Sequence, residues 1–95
     1  MFPKSKPYRS EAYKTFVRSL PCVICGSLPC DPHHIESMGM GIKCNDTRTI
    51  SLCRRHHSEI HAIGKKSFCE QYRIDLWRQA FIAMELFMFD EDHHE

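Results

Sequence analysis

Two half-sites constrain this chain more than any apolar pattern does: Cys22-Val23-Ile24-Cys25 near the start and Cys53-Arg54-Arg55-His56 past the middle. Each presents two soft or borderline donors at the spacing from which one turn can aim both at a single zinc ion. Cys22, Cys25, Cys53 and His56 together make a Cys3His tetrahedron. Its closure would staple the first third of the chain to its centre, a useful device for 95 residues with room for a modest core only. Cys30 is the alternative to His56 as fourth ligand, while Cys44 and Cys69 stand outside the spacing. Residues 26–52 separate the half-sites, more than twice the roughly 12 residues of a Cys2His2 finger. A finger of that kind is excluded, and the intervening segment must carry something of its own.

It carries one adjacent histidine pair, His33-His34, and a second pair, His56-His57, follows it with His61 one helical turn further. Pro32 to Ile35 reads as a short extended segment, where successive side chains point to opposite faces, so His33 and His34 divide their roles. Arg54 to about Ile63 reads as a helix stopped at Gly64. There His57 and His61 share a face, and His56 sits about 100° away, too far round to serve the same metal. His33, His57 and His61 can therefore form a three-histidine cup for a divalent ion, magnesium, manganese, nickel or zinc, with positions left for water and phosphate oxygens. His34 then faces substrate. An imidazole titrates near neutrality and can take a proton from water, provided its other nitrogen is held by an acceptor. The Asn45-Asp46 stretch is the source of that acceptor.

Around these motifs, Ser10 caps a helix to about Leu20 with Ala12, Phe16, Val17 and Leu20 on one face, and Pro21 ends it. Gly26 supplies the permissive backbone of a zinc-knuckle turn. Ser37 to Asp46 has no periodicity and reads as a flexible loop, and Thr49 to Leu52 as a second strand. A helix covers about Lys66 to Tyr72, and Asp75 caps a last one to about Phe89. In that helix Trp77, Phe81, Met84 and Met88, with Ala80 beside them, read as a core stripe. Leu86, Phe87 and Phe89 exceed one buried face and are expected to support a homodimer through this C-terminal helix.

Charge is uneven. Residues 1–84 hold 13 Lys and Arg against 7 Asp and Glu, a balance of +6 (13 − 7), and residues 85–95 hold five acids and no base. A basic body suits a nucleic-acid partner. The N-terminus has no apolar run of the secretory kind, so the cysteines are read as thiolates in a reducing cytoplasm rather than as a disulfide scaffold. Nothing approaches a membrane span in length, and no membrane partner is expected.

The order Cys-x-x-Cys, Asp31-Pro32-His33-His34-Ile35, a glycine loop with Asn45-Asp46, and Leu52-Cys53-Arg54-Arg55-His56-His57-x-x-x-His61 resembles the HNH endonucleases. The likeness is to small phage and prophage HNH proteins and to the nuclease domain of a phage recombination-enhancement protein, over about residues 13–76. It implies an α+β fold with a ββα-metal (His-Me finger) core and zinc knuckle between N-terminal and C-terminal helices. The whole of 1–95 would form one nuclease domain with a basic arm, 1–9, and an acidic tail, 90–95. It also implies that His33, His57 and His61 hold the catalytic metal and that His34 is the general base. The family's middle Asn usually lies nearer the second strand, at a position filled here by Arg48, so Asn45 and Asp46 both remain open as the residue that orients the base.

The implied reaction is phosphodiester hydrolysis in DNA with little sequence specificity, in phage DNA recombination or processing in a bacterial host cell. Lys43, Arg48, Arg54, Arg55, Lys65 and Lys66 would hold phosphates. The competing reading is a non-catalytic zinc module that binds nucleic acid within a larger assembly. Such a module has no use for His34 or for an open histidine cup.

Overall fold

Ser10 begins the first helix as expected, with its hydroxyl accepting from the Tyr13 amide at 3.0 Å. The computed structural model describes residues 9–35 and 45–89. In chain order these form α1 (Glu11–Arg18), β1 (Cys30–His34), β2 (Thr49–Cys53), α2 (Arg54–Ile63), α3 (Lys65–Tyr72) and α4 (Leu76–Met88), an α+β arrangement. α1 buries Tyr13, Phe16 and Val17. The expected face is corrected by about one position, since Ala12 is exposed and Leu20 only half-buried. Tyr13 carries more apolar area than Ala12 and takes its place inward.

The two strands pair antiparallel, Cys30 with Cys53 and His34 with Thr49 at the two ends. β1 starts two residues earlier than read from the sequence, because Cys30 and Asp31 find ladder partners in Cys53 and Leu52. β2 is buried along its whole length, since α1, α2 and α4 all pack on it. Its polar side chains are satisfied within that burial. The Thr49 hydroxyl donates to the Asp46 carbonyl at 2.8 Å, and the Ser51 hydroxyl to the Pro21 carbonyl at 2.7 Å. Ile50, Leu52, Ile60, Phe68 and Leu76 form the centre of the core.

α2 follows β2 without a break, with Cys53 as its N-cap. Gly64, at φ +89°, turns the chain from α2 into α3, and its amide closes α2 on the Ile60 carbonyl at 2.9 Å. Asp75 caps α4 by accepting from the Trp77 and Arg78 amides.

α4 overturns the expected core stripe. Its buried residues are Leu76, Ala80 and Ala83, whereas Trp77, Phe81 and Met88 are half or more exposed. The alanines explain the choice, because small side chains let the helix backbone approach β2 closely, which a face of Trp, Phe and Met would prevent. Phe87 is corrected in the opposite sense. It packs edge-on against Tyr13 and Phe16, at ring separations of 5.0 and 5.3 Å, and ties α4 to α1. Leu86 and Phe89 stay exposed, as the sequence suggested. No helix among the described residues is long and apolar enough to cross a membrane.

Phe87→Ala is expected to cost about 2 kcal/mol, less than a fully enclosed phenylalanine because the ring is only partly covered. Phe89→Ala, at a position 78% exposed, should stay within about 0.5 kcal/mol of the parent. Urea unfolding of the two variants checks both, and equal stabilities would contradict the packing.

Candidate functional site

The knuckle is built by backbone hydrogen bonds before any metal arrives. The Gly26 amide donates to the Cys22 carbonyl at 2.9 Å, the Cys22 amide to the Ser27 carbonyl at 3.0 Å, and Gly26 adopts φ +75° to permit the turn. The Val23 amide donates to the Ser51 carbonyl at 3.0 Å, which docks the turn on β2. Cys22 and Cys25 thereby face Cys53 and His56 at the β2–α2 junction, and the four ligand atoms lie within 4.8 Å of one another.

The distances can be tested against zinc. Ligands at about 2.3 Å for sulfur and 2.0 Å for nitrogen on a tetrahedron stand about 3.8 Å apart sulfur to sulfur and about 3.5 Å sulfur to nitrogen. Cys25 Sγ and Cys53 Sγ are 3.8 Å apart. His56 Nδ1 lies 3.3 Å from Cys53 Sγ and 3.6 Å from Cys22 Sγ. A disulfide would need about 2.05 Å. The group is thus positioned to bind a metal ion and is compatible with zinc.

The surroundings favour thiolate at Cys25, whereas at Cys53 the bond from the His56 amide is outweighed by burial and the neighbouring cysteines, which push that thiol up. The Ile24 amide points at Cys22 Sγ at 3.4 Å, hydrogen bonding to the Ser27 side chain and amide brings the Cys25 thiol down to about 6, and the N-terminus of α2 adds its positive end. Cys30 is different. Burial, with the neighbouring sulfurs, pushes its thiol up to about 11, and it donates to the Ser27 carbonyl at 3.2 Å. It remains a protonated neighbour, and His56 is the fourth member of the group. His56 is 3% exposed and lies edge-on to the Tyr72 ring at 5.5 Å.

The second cluster forms one residue along α2. The ring nitrogens of His33, His57 and His61 lie within 4.8 Å of one another, with His57 Nε2 and His61 Nε2 3.2 Å apart. That separation falls between the edges of octahedral and tetrahedral shells built on metal–nitrogen distances of about 2.1 Å, roughly 3.0 and 3.4 Å. His57 Nδ1 donates to Asp31 Oδ2 at 3.0 Å, which turns its Nε2 lone pair toward the cup. Burial, then the neighbouring histidines and Lys65, hold His33 down to about 4, so its ring stays neutral with a lone pair to offer. Sequence reading missed Asp31. The available signal was its place two residues before His33, on the same strand face.

His34 points the other way, to Asp46. Its Nε2 lies 2.9 Å from Asp46 Oδ1. Asp46 is fully buried. Burial raises its pKa, but the bonds from His34 and the Ser10 amide (2.8 Å), with the Arg9 and Lys14 charges, outweigh that and hold the carboxyl below its ordinary value. An ionised carboxylate only accepts, so His34 carries its hydrogen on Nε2 and the neutral ring has its lone pair on Nδ1. This decides between the two candidates left open. Asn45 is not the partner of His34, because its carbonyl oxygen closes a local turn with the Thr47 amide and hydroxyl at 3.1 and 2.8 Å.

A family model described as "Protein of unknown function (DUF968)" matches residues 1–85, which contain every ligand of both clusters. The chain belongs to that family. It is also similar to "Uncharacterized protein YdfU" of Escherichia coli (strain K12), 40% identical over 62 residues, covering 62% of this chain and 18% of that protein. The chain therefore spans less than a fifth of that relative's length. No solved structure matches it.

The six basic residues expected to hold phosphates do not form one set. Lys65 donates from Nζ to the Ile35 carbonyl at 2.9 Å and lines a cleft of about 380 Å³ with His33, His34 and His61. Arg54 lies beside the cup, paired with Asp31 at 3.2 Å. Arg55 is placed away from it. Two positions from His57 on a helix is about 200° of rotation, and Arg55 instead lines the surface of Glu59 and Tyr72. The Arg48 guanidinium lies over Trp77, Lys66 is exposed on α3, and Lys43 lies outside the described residues, as do most of the arm and the acidic tail.

The protein purified under reducing conditions is expected to carry one tightly held zinc on the Cys3His group. Cys22→Ala should lose that zinc and unfold, whereas Cys30→Ser should keep both zinc and fold. Elemental analysis with circular dichroism checks the pair, and loss of zinc in Cys30→Ser would contradict the ligand assignment.

Proposed function

We propose that this chain is a metal-dependent endonuclease of the HNH, ββα-metal type, hydrolysing DNA phosphodiester bonds with little sequence specificity. One juxtaposition carries the reading: His34, oriented by a buried carboxylate, opens on the same cleft as His33 and His61 of the three-imidazole cup. A module that only bound nucleic acid would need the Cys3His group and neither of these.

A divalent cation held by His33, His57 and His61 would supply positive charge to the phosphoryl oxygens and the leaving 3′-oxygen. The residues of the chain do the rest. His34 Nδ1 takes a proton from water as the water oxygen bonds to phosphorus, the bond from phosphorus to O3′ breaks with its electron pair going to O3′, and O3′ takes a proton from solvent water, giving 5′-phosphate and 3′-hydroxyl ends. Asp46 accepts from Nε2 throughout and stabilises the imidazolium as it forms. Asp31 keeps His57 in the ligating tautomer. Lys65, tethered to the carbonyl that follows His34, places an ammonium at the cleft for a phosphate oxygen, and Arg54 does so beside the cup.

His34→Ala is expected to lower cleavage roughly 100- to 10,000-fold, the range of a general base, with zinc content and DNA binding retained. His57→Ala should also be inactive, but excess divalent metal should partly restore it. Nicking of supercoiled plasmid across a metal titration separates the two. Wild-type rates in His34→Ala would remove the base assignment. A wild-type protein inert with magnesium, manganese, nickel and zinc on duplex, single-stranded and branched DNA would replace the enzyme by the binding module.

A further inference from the structure

The inner face of α4 leaves apolar flanks on both sides of it. Leu76, Ala80 and Ala83 point inward. At 100° per residue, Trp77, Phe81, Met84 and Met88 gather on one flank about 100° from that face, and Ile82 and Leu86 fall on the other. Trp77 is 50% and Phe81 55% exposed, so two aromatic rings stand in solvent one helical turn apart. Single exposed aromatics need no explanation, but neighbours beside a cation form a patch with a chemistry. The Arg48 guanidinium carbon lies 6.0 Å from the centroid of the Trp77 ring, at the outer limit of a cation–π contact. Trp77 thus keeps half of its area exposed with that guanidinium over its ring.

The basic end of this patch is anchored next to the hairpin end that carries His34. The Arg48 carbonyl accepts from the Ile35 amide at 2.9 Å, and the next residue, Thr49, pairs with His34. One strand residue is about 3.3 Å, so the Arg48 backbone lies one residue along from the strand partner of His34.

The geometry points to a stacking platform, Trp77 and Phe81 with Arg48 at its basic end, for the bases of an unpaired DNA strand. Bases within a duplex stack on one another, and only unpaired nucleotides offer a free face to a protein ring. The inference rests on the nucleic-acid reading of the cleft and refines it: the strand presented to His34 carries unpaired nucleotides next to the bond that is cut. A second copy of the chain is the competing occupant, since positions 77, 81, 84 and 88 have the spacing of a coiled-coil seam. Four partly covered side chains offer about 100 Å² apiece, about half of the roughly 800 Å² per partner in a stable interface. Such a seam would also bring two Arg48 guanidinium groups toward the same apolar strip. The small area, the basic body and the place of Arg48 next to the hairpin end that carries His34 favour the strand.

Trp77 is the only tryptophan in the chain, so its fluorescence reports on the platform directly. Single-stranded oligothymidine added to the purified protein is expected to quench it saturably, and an abasic strand of equal length and charge to bind without quenching. Phe81→Ala keeps the reporter and should weaken single-strand binding on the order of 10-fold, with duplex binding and zinc content unchanged. Absence of quenching, or unchanged single-strand affinity in Phe81→Ala, overturns the platform. Plasmid nicking without quenching leaves the endonuclease standing and removes this inference, whereas quenching without cleavage on any substrate does the reverse. Light scattering that finds a wild-type dimer and a Phe81→Ala monomer assigns the flank to a second copy and overturns the inference.

Discussion

Cys53 ends β2 and opens α2, and the rotation of that helix sends two consecutive histidines to different places. His56 turns inward to three sulfurs. His57, about 100° further round, turns outward to Asp31 and the other imidazoles. The second destination depends on the strand pairing, which brings β1 alongside and places Asp31 and His33 within reach of His57. The Cys3His group secures the start of this helix against the knuckle and β2. Its orientation is thereby fixed at the point where the second cluster is assembled, so a metal bound by the Cys3His group would be coupled to the geometry of the three histidines.

A second line of order runs from the N-terminal helix. Ser10 caps α1 with its hydroxyl and donates its backbone N–H to Asp46, which holds His34. The carboxylate is fully buried yet stays ionised, because several donors and nearby cations converge on it. The setting of His34 therefore depends on residues from the first helix, the turn before β2 and the end of β1. Removing residues up to Ser10 would disturb the setting of His34 without touching either cluster.

The membership of the two clusters was legible in sequence because each rests on local spacing: a two-residue gap for a turn, a four-residue gap for a helix face, and alternation for a strand. The element order was legible for the same reason. Asp31 and Asp46 were harder, since both act through contacts across elements. Asp46 shared candidacy with Asn45 until the fold showed which one turns inward. Periodicity also says which residues share a face, without saying which face turns inward. In α4 the large residues at 77, 81, 84 and 88 suggested the core, but close approach to β2 selected the face carrying Ala80 and Ala83. Arg54 and Arg55 stand together among the six residues expected to hold phosphates, although helical rotation alone separates them.

Division of the two adjacent histidines between two metal shells is the central claim, and cobalt titration of the metal-free, reduced protein tests it most directly. The first equivalent is expected to give intense thiolate-to-cobalt charge transfer from the Cys3His group. The second should bind more weakly, with only the faint bands of a nitrogen and oxygen shell, and should be lost in His61→Ala while the first persists. Saturation at one equivalent, or thiolate bands that grow through the second, would contradict it.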